Sequence, residues 1–160
     1  MSKKGNTDEK GKKKSIGSEV DQNYLKSFYP TPTINMKWVF AMFLNVQGLS
    51  VQAELTMEVI DIKGDNVKIK TVMGDQSFEN TVDINSFAPL PSSGKSSGFR
   101  FETIESIKVP YGTFDTARII VEGKQGKSSF LWLSEGLGPI KFGITENGIP
   151  ATLELKEFIS

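Results

Sequence analysis

The sequence contains no cysteine and no histidine. Thiolate nucleophiles, zinc sites with sulfur or imidazole ligands, and His-based catalytic triads all require one of these residues. Their absence excludes these chemistries and leaves carboxylate, Lys, Tyr and Ser groups as the available catalytic side chains. A chain without cysteine is compatible with both a reducing cytosol and a periplasm, so this absence does not indicate a compartment.

Long hydrophobic runs are also missing. The longest apolar-rich segment, residues 36–46, is interrupted by Lys37 and Asn45, whereas a bilayer-spanning helix needs roughly 18 or more apolar residues. This segment therefore predicts a buried strand. With 160 residues, of which 38% are hydrophobic, the chain is long enough for one globular domain with its own core.

Charge is unevenly distributed, although the net charge is zero. Residues 1–14 contain six lysines against Asp8 and Glu9, while the chain from Tyr24 onward has 13 basic and 15 acidic residues. Residues 1–17 have one large aliphatic side chain, Ile16, and cannot offset their ordering entropy by burial. We therefore predict a disordered Lys-rich tether at 1–17 and a single β domain at 18–160. The acidic body argues against nucleic-acid binding, which depends on clustered positive charge.

A short helix is predicted directly after the tether. Ser18 is placed to cap its free N–H groups, with Asp21 near its positive end. Val20, Tyr24, Leu25 and Phe28 would share one face, and Pro30 and Pro32 end the segment. An extended chain entry is the alternative.

Alternation of apolar and polar residues dominates the remainder of the chain. Val51, Ala53, Leu55, Met57 and Val59 alternate with polar residues, which is typical of a strand with one buried face. Residues 36–46 are apolar on both faces and predict a central strand. The strands are expected at 36–46, 51–59, 67–71, 78–84, 99–109, 117–122, 129–134, 140–144 and 151–158. About nine strands with short turns predict an all-β antiparallel protein, either a β-sandwich or an open, curled β-barrel.

Turn residues separate these strands. Residues 47–50, 61–66, 74–75 and 123–127 predict tight connections, and Asn147-Gly148 predicts a type I′ turn. The segment from Phe87 to Gly98 is rich in Pro, Gly and Ser and predicts a surface loop or lid.

Two lysines follow glycines in phosphate-loop-like contexts, Gly94-Lys95-Ser96 and Gly126-Lys127-Ser128. The motif requires an earlier glycine, and those positions hold Pro89 and Val121, so both are interpreted as turns. Glu102, Glu105, Asp115 and Glu122 are the carboxylates considered for a hydrolytic pair, but no sequence feature marks a raised pKa. No catalytic residue, cofactor site or metal site is assigned.

Aromatic residues at strand spacing could line an apolar ligand cavity, although core packing is the commoner role for such residues. The lining residues expected for such a cavity are Trp38, Phe40, Phe99, Phe101, Phe130 and Trp132. Phe43 is a further residue of this kind.

The second half of the chain carries a family resemblance. Val109-Pro110-Tyr111-Gly112-Thr113-Phe114, followed by Ala117, resembles the V-P-x-G-T-F-x-x-A/C segment of a largely uncharacterised family of bacterial exported proteins and lipoproteins. Residues 131–141 resemble its W-x-x-x-G-x-G-x-x-K element. Phe28-Tyr29-Pro30 with Trp38 is similar to its opening, without the expected Gly and final Tyr, and residues 151–158 to its closing strand.

This resemblance implies a bacterial cell-envelope location and either a sandwich or a half-barrel fold, the latter similar to that of lipoprotein carriers. Pro110 and Gly112 would set a sharp turn or a bulge, Phe114 would cover the core, and Gly136 and Gly138 would let the sheet bend. It also implies an N-terminal lipid anchor, with Met1 standing where a lipidated Cys would be and residues 2–6 beginning a tether. An ordinary cytoplasmic start with a frayed end is the alternative.

The function expected from these observations is that of a non-catalytic envelope domain that binds another envelope component through its sheet face or interior. The membrane would be contacted only through the lipid anchor. A carrier or sensor of an apolar, lipid-like ligand is the second hypothesis, and a carboxylate-based hydrolase is the third. An enclosed apolar cavity would distinguish the carrier from a simple binding domain.

Overall fold

The computed structural model describes residues 14–91, 98–123, 128–146 and 149–160. The predictions for the tether up to residue 13, for both phosphate-loop-like lysines, for the later part of the 87–98 loop, for most of the 123–127 connection and for the Asn147-Gly148 turn lie outside these residues. The elements in chain order are β1 (Glu19–Val20), α1 (Gln22–Lys26), β2 (Lys37–Val46), β3 (Leu49–Lys63), β4 (Asn66–Met73), β5 (Gln76–Asp83), β6 (Gly98–Val109), β7 (Gly112–Glu122), β8 (Ser128–Ser134), β9 (Gly138–Glu146) and β10 (Ile149–Ile159). A short 3-10 turn at Ile84–Ser86 follows β5.

All ten strands belong to one antiparallel sheet with the order β1-β6-β7-β8-β9-β10-β2-β3-β4-β5. The sheet curls around its own core without closing, since β1 and β5 are its two ends. This confirms the predicted all-β class and, of the two architectures, the open, curled one. The nine predicted strands are all present, and the tenth is the two-residue β1.

The central position of β2 is confirmed. It pairs with β10 on one side and β3 on the other, and Trp38, Phe40 and Met42 on one of its faces are at most 6% exposed. We call the sheet face that carries these side chains the inner face. One buried cluster joins it to α1 and to the chain around residue 87.

The helix is confirmed, but its predicted start at Ser18 is wrong. Glu19 and Val20 instead form β1, paired with Arg100 and Phe99 of β6. The N-cap is Asp21, whose carboxylate accepts a hydrogen bond from the Tyr24 backbone N–H at 2.9 Å. The sheet edge satisfies the backbone at residues 19–20, so the helix begins only after the chain leaves it.

The predicted surface loop at 87–98 is wrong in its first part. Phe87 is 1% exposed and Ala88 7% exposed, and the Phe87 ring lies 5.9 Å from the Tyr29 ring and 6.3 Å from the Trp38 ring. The chain after the 3-10 turn therefore packs onto the inner face. Sequence composition missed this because one aromatic side chain outweighs several small polar neighbours in burial.

The sharp turn predicted at Pro110 and Gly112 is confirmed. Val109 pairs with Gly112, so Pro110 and Tyr111 form a two-residue turn between β6 and β7, and Gly112 has φ of 153°. Phe114 packs partly against the core and stacks on Tyr111 at 6.0 Å. The Tyr111 N–H donates to the Leu155 carbonyl at 3.0 Å, which ties this hairpin tip to β10.

The bend expected between β8 and β9 is present. Gly136 and Gly138 have φ of 85° and 84°, a region that favours glycine. The face of the Tyr29 ring lies against Gly138, where an added Cβ would come within 2.8 Å of a ring carbon. The two glycines therefore let the chain after α1 lie against the sheet.

Candidate interaction surface

Three of the six aromatic residues predicted to line a cavity lie in the core. Trp38 and Phe40 are fully buried and Phe101 is 2% exposed. The Trp38 indole N–H donates to the Leu137 carbonyl at 2.7 Å, and its ring contacts the Phe158 ring at 5.4 Å. These side chains are packed against other side chains of the core, which is the alternative role considered for them.

The other three residues do not join this group. Phe99 is partly buried on the inner side, whereas Phe130 and Trp132 alternate with the buried Leu131 and Leu133 and so project from the opposite, outer face. The six aromatic residues are therefore divided between two faces of the sheet and do not form one lining.

The outer face holds a compact group of charges and rings. The Arg118 guanidinium forms ion pairs with Glu102 at 2.5 Å and Glu105 at 3.1 Å. It also lies 5.7 Å from the Phe130 ring centroid and 5.9 Å from that of Trp132. Two of the four carboxylates considered for hydrolysis thus come together.

Each carboxylate of this pair already has a cationic partner, and the Trp132 N–H donates to Glu105 at 2.7 Å. The other two candidates lie apart. Glu122 pairs with Arg100 at 2.9 Å, and Asp115 is exposed. The arrangement on the outer face is that of a cross-strand ion-pair and cation–π network.

Tyr29 anchors the packed interior. Its hydroxyl donates to the Pro89 carbonyl at 2.6 Å, and burial raises the pKa of this phenol well above its ordinary value. Burial also raises the pKa of Tyr24. Both phenols therefore stay neutral, and Tyr29 joins the chain after α1 to the segment that follows β5.

Two open clefts border this packed region. One of about 250 Å³ lies between the Pro30–Pro32 chain and the 3-10 turn, with Lys26 and Asn85 at its edge. The other, of about 350 Å³, lies beside β1 and α1 and includes Lys14, Glu19 and Asp21. Both have mixed polar and apolar walls, and both open to solvent.

An exposed apolar surface continues the inner face along β2 and β3. Leu55 pairs with Met73, the last residue of β4, so residues 49–54 of β3 extend past β4. Val46 pairs with Leu49, Leu44 with Val51 and Met42 with Ala53, which places these side chains on the inner face. We call this part of the face the inner-face strip; it consists of the exposed Leu49, Val51 and Ala53 and the partly buried Leu44 and Val46.

Exposure along the strip increases towards the hairpin tip. Val51 is 45% and Leu49 71% exposed, whereas Leu55 on the same face is 5% exposed. The prediction that alternation at 51–59 marks a buried face is therefore confirmed from Leu55 onward and wrong for Val51 and Ala53, both exposed. No local feature of the sequence indicates this change, because burial depends on where β4 and the packed segments end.

The part of the chain that the structure describes contains neither a cluster of metal-ligating side chains nor a membrane-spanning helix. Within these residues, no group of three or more acidic side chains converges in a way that could hold a metal ion. Nor does any helix there have the length and hydrophobicity needed to cross a bilayer.

Comparisons with known proteins give fold neighbours only. No family model matches the chain, and no curated protein does so. A solved structure of a candidate lipoprotein from Parabacteroides distasonis aligns with a TM-score of 0.51 and 14% identity, covering 82% of this chain and 98% of its own. A candidate exported protein with a YmcC-like fold from Bacteroides fragilis aligns with a TM-score of 0.48 and 8% identity over 83% of this chain and 99% of its own.

The likeness to the Parabacteroides protein shows a shared fold across most of both chains. Beyond this fold, the resemblance to exported proteins and lipoproteins remains a prediction. The individual motif residues on which that resemblance was based remain predictions.

Proposed function

We propose that this chain is a non-catalytic binding domain of the bacterial cell envelope, which holds an apolar part of another envelope component on the inner-face strip. The observation that carries the proposal is the exposure of adjacent aliphatic side chains on a face that is otherwise core. Contiguous exposed apolar surface is typical of interaction sites. The fold shared with a candidate lipoprotein supports the envelope location.

Surface binding fits the geometry better than enclosure of a ligand. Trp38, Phe40 and Phe101 fill the space that a carrier would keep open. The strip, in contrast, is open at the hairpin tip and continuous with the buried face. A carrier of an apolar ligand remains the second proposal, with the ligand lying along the strip instead of in a closed cavity.

Binding can be tested with the neutral apolar fluorophore N-phenyl-1-naphthylamine. Leu49→Ser combined with Val51→Ser should weaken binding at least about tenfold, since each aliphatic side chain contributes about 1.5–3 kcal/mol when it becomes buried. The matched control is Ile34→Ser with Ile159→Ser, which removes two aliphatic side chains that are 52% and 43% exposed elsewhere. The titration should use protein concentrations at which sedimentation shows single copies.

An equal loss of binding in the test and control variants would overturn the role of the strip. Location is a separate question, tested by fractionating the cells that encode the chain and probing with an antibody. Recovery in the membrane and periplasmic fractions is expected. Recovery in the cytosol would contradict the envelope assignment while leaving surface binding intact.

A further inference from the structure

The free edge of β3 beyond the end of β4 can accept a further strand. Gln47 and Gly48 have φ of 52° and 81° and form a two-residue turn between Val46 and Leu49. In such a hairpin the closing residues exchange both backbone hydrogen bonds, and the bonded residues then alternate. The backbone N–H and C=O groups therefore point to β2 at Leu49, Val51 and Ala53. They point away from β2 at the alternate residues Ser50, Gln52 and Glu54.

The opposite side of β3 gives the same assignment independently. Met73 and Gln76 close the two-residue turn between β4 and β5, so the backbone groups of Met73 point to β5. The pair of Met73 with Leu55 therefore has no backbone hydrogen bonds, whereas the next pair, Thr56 with Val72, is hydrogen-bonded. Thr56 thus faces β4, and the even-numbered residues that precede it on β3 face the same way.

Within the described residues, nothing occupies that side. The strand pairings of β3 are with β2 and β4 alone, and no further backbone hydrogen bond reaches residues 49–54. The edge is also poorly protected, since 49–53 contains neither charge nor proline. The edge at β5 differs: register places Glu79 and Asp83 among the residues whose backbone faces outward, and inserted charge discourages edge pairing.

We propose that this edge pairs with the same edge of a second copy of the chain, antiparallel, with Val51 of one copy opposite Val51 of the other. A two-fold axis perpendicular to the sheet then passes between the two Val51 residues. Ser50 of each copy exchanges backbone hydrogen bonds with Gln52 of the other. Leu49 of each copy lies opposite Ala53 of the other, so the inner-face strip continues from one copy to the next.

In this register, residues 49–53 of one copy pair favourably with the same residues of the other copy. Apolar side chains meet apolar ones on the inner face, a large Leu against a small Ala, and Ser meets Gln on the outer face. Glu54, the one charged residue of 49–54, falls opposite Gly48, so no like charges oppose each other.

The structure also limits how far the copies can slide. The turn at Gly48 of one copy comes level with Glu54 of the other, where the chain leaves β4 after Met73 and turns at Gly74-Asp75 towards β5. Moving the copies two residues further would place Leu49 against Leu55 and into Met73. The complementarity of residues 49–53 with themselves in this register favours a second copy over an unrelated extended peptide.

The absence of native cysteine allows a direct test in the full chain. Val51→Cys should form a covalent dimer under mild oxidation. The Cβ atoms of a directly opposed pair without hydrogen bonds lie about 4.5–5.5 Å apart or slightly closer, which suits a disulfide bond. Gln52→Cys is the matched control, being adjacent, exposed and on the other face. An equimolar mixture of Leu49→Cys and Ala53→Cys chains should give the mixed dimer in preference to either homodimer.

Charge substitution supplies a reversible measurement. Val51→Lys and Val51→Glu should each raise the dimer dissociation constant at least about tenfold in sedimentation equilibrium, and their equimolar mixture should recover association. Recovery in the mixture also shows that each variant is folded. Equal oxidation of Val51→Cys and Gln52→Cys, or a wild-type chain that stays monomeric at millimolar concentration, would overturn the proposal. Neither result depends on the apolar fluorophore, so the dimer and the binding function can fail separately.

Discussion

At the scale of single residues, the positions that determine the fold are those where backbone conformation and side-chain contact coincide. Gly138 combines a φ of 84° with a Tyr29 ring directly against its Cα. Tyr29 in turn reaches Pro89 through its hydroxyl. One glycine therefore controls how closely the chain after α1 and the segment around Phe87 approach the sheet.

Replacing this glycine should reduce stability substantially. Gly138→Ala should lower the free energy of unfolding by about 2–5 kcal/mol, because left-handed backbone costs about 1–2 kcal/mol and overpacking against a buried ring adds about 1–3 kcal/mol. Urea unfolding followed by tryptophan fluorescence measures the change. Gly143→Ala is the control, since Gly143 lies in the same strand with an ordinary φ and open space around its Cα. Equal effects of the two substitutions would contradict this role of Gly138.

At the scale of elements, α1 is too short to be stable by itself. A helix of five residues lies far below the length at which isolated helices form in water. It exists because Asp21 caps it and because Tyr24 and Leu25 are buried against the sheet. Because the helix depends on burial against the sheet, the sequence pattern predicted the helix but misplaced its start.

Removing the cap should test this account of α1. Asp21→Ala should lower the free energy of unfolding by about 1 kcal/mol, the usual cost of losing an N-cap side chain, whereas Asp21→Asn should keep most of it because Asn also caps helices. Ser18→Ala serves as the comparison at the cap position predicted from sequence. A larger loss from Ser18→Ala than from Asp21→Ala would show that the observed cap does not stabilise the helix.

At the scale of the whole molecule, the division into a tether and a domain remains a prediction. Backbone contacts near Gly17 indicate where its boundary would lie. The Gly17 N–H donates to the Phe101 carbonyl at 2.7 Å, and the Phe101 N–H donates to the Ser18 carbonyl at 2.9 Å. These contacts attach the chain to the sheet edge from Gly17 onward. Ordering of the domain is thus expected to begin close to the predicted boundary.

Truncation can locate this boundary. Deletion of residues 1–13 should leave the urea midpoint unchanged within error, because these residues carry no large apolar side chain apart from Met1. Deletion of residues 1–20 removes the pairing of β1 with β6 and should lower the free energy of unfolding by about 1–3 kcal/mol. A large loss from the shorter deletion would mean that the N-terminal lysines belong to the folded domain.

Much of this molecule could be predicted from local pattern. Alternation of apolar and polar residues identified all nine longer strands, and Gln47-Gly48, Gly74-Asp75 and Pro110-Tyr111 marked turns between them. These predictions succeeded because strand periodicity and turn conformation depend on residues close together in the chain. Phe87 and Val51 were misjudged for the opposite reason, since each was interpreted from its neighbours in sequence.

The sequence by itself therefore determined the β class, the turns at 47–48, 74–75 and 110–111, and the lack of thiol and imidazole chemistry, all of which follow from composition and short-range spacing. Only the tertiary structure decided that Trp38 and Phe40 are sealed in the core while Trp132 lies outside, and that Leu49 and Val51 stay exposed. The physical reason is that burial depends on which distant segments cover a face and where a neighbouring strand stops. Here β4 ends at Met73, opposite Leu55, and leaves both the inner-face strip and the adjoining edge of β3 available for contact.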